Sequence, residues 1–366
     1  MVFGMKILYS NKSLYPFEGG GDISALTLLE HLAEKHEVSA YYIGKKLERE
    51  TKVKLFPQNI KQKKGMWINL LFLRKKWERI LTKAIREDKP DLIITQDYLI
   101  GSSLKVAKIY GIKSIVFLRS YLHLSIDNCK SYLPEENKFS RSKDFIYQIQ
   151  YPFYKKVVKE NQLALRNANL VCVVSNYVQN VTSKYCNVNS EVIRPFISFK
   201  ECMVKKTGDY ITFINPDKHK GLEIFEKIVD RLPDKKFLVV GKDNYKTNKS
   251  NVKVVGYVED RKKIFSETGL FLIPSIFPDP HPRVAIEAMI NCIPCIASSR
   301  GGLIEEVSEA GILIKNIFNI NEWVEAIKKF DDKKFYAEIS KKAKEKALDF
   351  EDKVQFKKFD ELLSKI

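Results

Sequence analysis

Residues 277–306 read FPDPHPRVAIEAMINCIPCIASSRGGLIEE, and this stretch governs how the rest of the chain is read. An apolar strand is expected just before it, at Phe271–Ile273, followed by a proline-rich loop, a helix, a second apolar strand and a Gly-Gly turn. That order places a helix N-terminus at the carboxyl edge of a sheet. Pro282 suits the first helical position, where its missing N–H would have no partner anyway, and the next amides of that turn are left to receive an anion. Two acids flank the anion site, Asp279 in the loop and Glu287 in the helix, eight residues apart.

An acid beside an anion repels it unless the acid meets a neutral part of the same ligand. In a nucleotide sugar the neutral parts are hydroxyls, from which carboxylates accept hydrogen bonds well. The plainer reading makes Asp279 a loop cap and Glu287 a solvated helix residue. Taken together, the residues resemble glycosyltransferase family 4, whose members carry E-P-F-G-x-V-x-x-E-A-M-x-x-G-x-P and then G-G-x-x-E. Asp279, Pro280, Arg283, Val284, Glu287, Ala288, Met289, Pro294, Gly301, Gly302 and Glu305 fall in register with it. The sequence departs from the pattern in three places: Asp279 stands for the first Glu, His281-Pro282 for Phe-Gly, and Cys292 for the Gly before Ile-Pro. Pro282 also removes a backbone donor that the family offers to the sugar.

The 366 residues suffice for two domains, each with its own core, and 45% hydrophobic and 11% aromatic residues are a globular composition. No apolar run approaches the ~20 residues that span a bilayer. The start, MVFGMKILYS, lacks a signal-peptide pattern, so the expectation is a cytoplasmic protein. Six cysteines are scattered along the chain and read as reduced packing thiols, Cys292-x-x-Cys295 included, since no second C-x-x-C or His cluster accompanies it. The net charge of +18 is concentrated: residues 45–90 hold fifteen Lys or Arg against five Asp or Glu. Within them KQKKGMWINLLFLRKKWERI (61–80) alternates basic clusters with apolar residues. Residues 61–79, with Lys61, Lys63 and Lys64, could lie on an anionic membrane at the cytoplasmic face, or form a helix packed on its own domain with its lysines solvated. No nucleic-acid motif is present, so no nucleic-acid partner is expected.

In chain order, a strand at Lys6–Tyr9, the turn Gly19-Gly20-Gly21 and a helix form a phosphate-approach arrangement without the G-x-G-x-x-G fingerprint. Strands are expected at Glu37–Ile43, Asp91–Thr95 and Ile112–Leu118, with a helix at Ser102–Tyr110 ending at Gly111. The alternation indicates parallel sheets covered on both faces. Arg119 and His123 follow the strand ending at Leu118, where open α/β sheets bind ligands. Residues 125–142 read as an acceptor-side loop, and Ser175 as a helix cap. A second domain opens with a strand at Tyr210–Ile214 and the loop NPDKHKG, ending in Lys220-Gly221.

The resemblance implies the GT-B fold, two doubly wound Rossmann-like α/β domains facing a cleft. The expected division is an acceptor-side domain over 1–198, a nucleotide-sugar domain over 209–348, and a C-terminal helix, 349–366, that crosses back. Family members grip the diphosphate with G-R-x-x-x-x-K-G. The matching Lys is Lys220, but Asn215 occupies the Arg position, with Lys218, His219 or Arg283 as substitutes. By resemblance, Glu287 holds ribose hydroxyls and Asp279 a hydroxyl of the transferred sugar. Arg283, Val284, Gly20, Gly21, Gly301 and Gly302 complete the donor site, and Arg119 or His123 touches the sugar.

The implied reaction is transfer of a hexose from a UDP- or GDP-sugar to a hydroxyl of a glycan or polyprenyl-linked acceptor, with retention of configuration. No Asp-x-Asp occurs, so no metal and no cofactor beyond the nucleotide-sugar co-substrate is expected. The alternatives are a non-catalytic homologue that binds a nucleotide sugar, and a basic protein that binds nucleic acid or a membrane surface.

Overall fold

A computed structural model describes residues 4–17, 19–60, 67–122, 124, 141–205, 207–241, 245–258 and 260–366, with the backbone alone for 67–71, 98 and 141–150. His123, Lys61, Lys63, Lys64, Cys129 and nearly all of the 125–142 loop lie outside the described residues. The chain divides into two compact units, Met1–Phe196 with Phe356–Ile366, and Ile197–Gln355.

Unit 1 is built on a seven-stranded sheet. Its strands are β1 (Lys6–Asn11), β2 (Glu37–Ile43), β3 (Lys54–Gln58), β4 (Leu92–Gln96), β5 (Lys113–Leu118), β6 (Leu170–Val173) and β7 (Glu191–Val192), in the order β3-β2-β1-β4-β5-β6-β7. Every pairing is parallel. Such strands are buried on both faces and therefore read as continuous apolar runs. The helices are α1 (Gly20–Leu32), α2 (Trp67–Asp88), α3 (Ile100–Tyr110), α4 (Arg141–Leu165) and α5 (Asn176–Cys186). Ser175 caps α5, its Oγ accepting from the Val178 amide at 3.3 Å. Gly111 ends α3 in the left-handed conformation. In α2, Trp77 and Leu81 are buried in the core of unit 1, while Lys75, Lys76 and Arg79 are exposed. The described part of the basic segment is thus an amphipathic helix packed on its own unit.

Unit 2 carries six parallel strands: β8 (Tyr210–Ile214), β9 (Phe237–Val240), β10 (Val252–Val255), β11 (Thr268–Ile273), β12 (Cys295–Ser298) and β13 (Gly311–Ile314), in the order β10-β9-β8-β11-β12-β13. Its main helices are α6 (Leu222–Arg231), α7 (Arg283–Ile290), α8 (Ile320–Lys329) and α9 (Lys333–Ala347). The last helix, α10 (Asp352–Leu363), supplies Phe356 and Phe359 to unit 1. There Phe356 stacks on His31 (4.0 Å) and Phe196 (4.7 Å), and His31 Nε2 lies 3.0 Å from Asp360.

The end of α7 explains one departure from the family pattern. The Cys292 amide donates to the Met289 carbonyl and the Ile293 amide to that of Ala288. This is the paired bonding that closes a helix on a left-handed residue, usually glycine. Cys292 occupies that position with φ +58°. Cys292→Gly is therefore expected to raise the stability of the protein by about 1 kcal/mol, measured by urea unfolding; an unchanged midpoint would show that the cysteine is unstrained there. Cys295, its C-x-x-C partner, is buried in β12 with its thiol free, and burial pushes the thiol pKa upward.

Candidate active site

Within unit 2, β8, β11 and β12 are neighbours, so the loops at their carboxyl ends meet. After β8, Asn215 takes the left-handed conformation (φ +59°) with its amide bonded to the Val240 carbonyl. A 3-10 turn, Lys218–Lys220, follows and ends on Gly221 at φ +87°. A Cβ on Gly221 would fall 1.9 Å from the Pro274 carbonyl oxygen, so only glycine fits. The His219 carbonyl accepts from the amides of both Ile276 and Phe277, at 3.0 Å each, tying this loop to the one after β11.

Lys220 and Asp279 complete the tie. Lys220 Nζ sits 2.6 and 2.8 Å from the two carboxylate oxygens of Asp279, and Ser275 Oγ donates to the same carboxylate at 3.0 Å. Asp279 is 7% exposed, whereas a third of the Lys220 side chain reaches the surface. The Gly301-Gly302 turn after β12 packs under this loop: the Gly302 amide donates to the Asp279 carbonyl at 2.7 Å. A Cβ on Gly301, itself at φ +58°, would fall 2.5 Å from the Asp279 carbonyl oxygen. The two glycines thus hold Asp279 in place through its backbone. Arg300 adds a bond from Nη1 to the Ile276 carbonyl (2.9 Å), a contact that no motif announced.

Helix α7 starts one residue later than expected. Pro282 is its N-cap, with ψ 90°, and the Ala285 amide bonds to the Pro282 carbonyl. The extended ψ keeps proline outside the helix, and the helix geometry still leaves the Arg283 and Val284 amides without intrahelical acceptors. Glu287 is buried, at 4% exposure, so the solvated-helix reading of this residue is corrected. Arg283 Nε lies 3.6 Å from its Oε1 and Arg261 Nε 3.9 Å from its Oε2, and Oε2 makes no hydrogen bond among the described residues. Arg261 is another contributor the sequence did not single out. Lys218 faces Glu223 at 3.9 Å and is mostly exposed.

Beneath the loop, His281 is in contact with Glu306, both side chains fully enclosed, and its ring stacks on Phe350 at 5.8 Å. Glu306 is the neighbour of Glu305, the residue in register with the family pattern. The buried acid at this corner is thus one position further along.

In unit 1, Gly20 begins α1, and a Cβ on Gly21 would lie 3.3 Å from Arg119 Cδ. Arg119 donates from Nε to Gln96 and from Nη1 to Ser24, joining β4, β5 and α1. Its amide donates to Asp97, a non-glycine residue at φ +48°. Burial pushes the Asp97 carboxyl up to about 7, opposed by Arg119. A carboxyl raised in the folded state binds more protons folded than unfolded, so its contribution to stability falls as pH rises from about 4 to 7. Asp97→Asn is therefore expected to stabilise the protein at pH 8 by about 1 kcal/mol and to have no effect below pH 4. Asparagine also tolerates positive φ. Thermal melts at both pH values check this; an equal shift at both would place the effect in the backbone alone. Among the described residues no group of three His, Cys, Asp or Glu side chains is placed to hold a metal, and no helix is long and apolar enough to cross a membrane.

Comparison with known proteins decides the family. Residues 18–200, half of the chain, match the model described as Glycosyltransferase Family 4, and residues 210–331 the one described as Glycosyl transferases group 1. The chain belongs to glycosyltransferase family 4. This family 4 chain matches no curated protein sequence. Among solved structures it is similar to sucrose-phosphate synthase from Thermosynechococcus elongatus (17% identity, 99% of this chain and 98% of that one, TM-score 0.77). HepE of Anabaena in complex with UDP-glucose is similar as well (17%, 99% and 100%, 0.73). So is a glycosyltransferase from Rickettsia africae (13%, 99% and 98%, 0.69). These likenesses give the family 4 chain the GT-B fold, with its two parallel Rossmann-like sheets.

Proposed function

We propose that this family 4 glycosyltransferase moves a hexose from a UDP- or GDP-sugar to a hydroxyl of a glycan or polyprenyl-linked acceptor, with retention of configuration and without a metal. The observation that carries the reading is the carboxylate of Glu287: buried, one oxygen without a hydrogen bond among the described residues, on the helix that opens beside the Lys220–Asp279 loop. A buried acceptor left unsatisfied is costly, and a ligand hydroxyl relieves it. Glu287 then holds the ribose, the first-turn amides of α7 and Lys220 hold the diphosphate, and Asp279 holds a hydroxyl of the sugar. Binding of UDP-glucose by the Anabaena relative supports a nucleotide-sugar donor.

In the transfer, the bond from the anomeric carbon to the diphosphate oxygen breaks and the acceptor oxygen bonds the same carbon from the same face. The acceptor proton passes to the departing phosphate. Charge develops on that phosphate, where Lys220 and the helix amides stabilise it more in the transition state than in the ground state. With cytoplasmic nucleotide sugars as donors, the protein works on the cytoplasmic side, at the membrane when the acceptor is lipid-linked.

Glu287→Ala is expected to weaken nucleotide binding by about 1–3 kcal/mol, the cost of a charge-assisted hydrogen bond. Calorimetric titration with UDP and GDP measures it, and unchanged affinity for both would remove Glu287 from the site. A non-catalytic nucleotide-sugar binder is the second reading, favoured by Asn215 in the Arg position and by the engagement of Lys220 with Asp279. Turnover of a nucleotide sugar in the presence of acceptor rules it out.

A further inference from the structure

Unit 1 has a surface that the transfer reading does not use. A groove of about 630 Å³ runs between α2, α3 and α4. Arg74 lies along it, buried and paired with Glu160 at 2.8 Å, and Glu78, the other acid of the groove, pairs with Lys105 at 2.7 Å. Both acids are thus occupied, while Lys75, Lys108 and Lys156, which also line the groove, have no carboxylate partner among the described residues. Helix α3, IGSSLKVAKIY, contains no acid. Along α2 the cations continue at Arg79, Lys83 and Arg86, spaced four and three residues apart on one face, around an adjoining depression.

Large apolar side chains stand among these cations, one on each helix: Phe72 is 68% exposed, Ile109 68% and Leu163 49%. Phe72 and Leu163 line the groove, and Ile109 sits next to Lys108 and one turn beyond Lys105. A helical face with unpaired lysines and protruding apolar side chains fits a partner that offers an anionic plane with an apolar layer beneath it. An extended polyanion would satisfy the lysines and leave Phe72, Ile109 and Leu163 in water.

We propose that the α2–α3–α4 face is a docking surface for an anionic lipid bilayer, with the lysines at the lipid phosphates and Phe72, Ile109 and Leu163 dipping below them. The proposal is independent of the transfer reading, because it is tested without nucleotide sugar or acceptor. The purified protein is floated with vesicles of phosphatidylcholine, alone or with about 30 mol% phosphatidylglycerol. Binding is expected only with the anionic lipid, falling as salt is raised. Each lysine near such a surface strengthens binding about fivefold, so Lys75→Gln, Lys108→Gln and Lys156→Gln together are expected to weaken it about 100-fold. Phe72→Ser with Leu163→Ser is expected to weaken it with the salt dependence unchanged. All five positions are at the surface, and an unchanged melting temperature confirms that each variant is folded. Failure of the wild type to bind anionic vesicles overturns the proposal, as does wild-type binding by the lysine variant. Equal or tighter binding to a single-stranded oligonucleotide, insensitive to the Phe72 and Leu163 substitutions, would assign the face to nucleic acid and also overturn it.

Discussion

Lys220→Ala is expected to lower kcat/KM for sugar transfer by about 10²- to 10³-fold, the usual loss when one donor to a developing negative charge is removed. The residue lies in the 3-10 turn that follows β8, held by Gly221 against Pro274, so its ammonium is positioned before any ligand arrives. That ammonium is paired with Asp279. A diphosphate therefore competes with a carboxylate for the same ammonium, and catalysis requires the lysine to bridge the two or to shift toward the phosphate. The side chain is a third exposed, but its deletion leaves the carboxylate of Asp279, 7% exposed, without its ammonium, so a loss of about 1–3 kcal/mol of stability is expected beside the loss of rate. Lys220→Arg should recover part of the rate. Steady-state kinetics with a thermal melt of each variant tests the argument. A fully active, stable Lys220→Ala enzyme would mean that other groups carry the phosphate charge.

The second large effect is on stability. Glu306 is wholly buried against His281 at the foot of the Asp279 loop. Glu306→Leu removes one partner of an enclosed pair and leaves the imidazole facing a hydrocarbon, an arrangement that costs about 3–5 kcal/mol. For a domain of this size the melting temperature should fall by about 10 °C. Combining it with His281→Phe should restore most of the loss, because replacing both members of a buried pair by apolar groups is often neutral, and the new ring would stack on Phe350. Chemical unfolding of the two single variants and the double variant gives the coupling energy directly. Additive losses would show that His281 and Glu306 do not act as a pair.

Much of this arrangement was legible in the sequence, and what was not has physical reasons. Strands buried on both faces declare themselves as apolar runs, which is why β1, β2, β4, β5, β8 and β12 are found where the residues point. β3, Lys54–Gln58, was missed because it is the edge of its sheet, with exposed Lys54 and Phe56 and a proline at position 57, which an edge strand tolerates. The start of α7 was misplaced by one residue because proline fixes φ and leaves ψ free, and ψ decides whether the residue is inside the helix. Lys220, Asp279 and Gly302 were each singled out, but their mutual contacts span long separations in sequence that no local pattern encodes. The pairing of His281 with Glu306 was invisible for the same reason. A buried glutamate and an exposed one also look alike until packing is known, as Glu287 demonstrates.

The final turns of α10 bear on how the protein is made. Phe359, buried at 5.4 Å from Phe117 of β5, and Phe356, stacked on Phe196, follow the whole of unit 2 in the chain, yet they fill the core of the unit that precedes it. During synthesis unit 1 therefore keeps a gap in its apolar interior until all of unit 2 has been made. The usual order, in which the N-terminal domain is finished first, is reversed. A premature stop shortly before Phe356 would damage the half of the protein farthest from it in sequence.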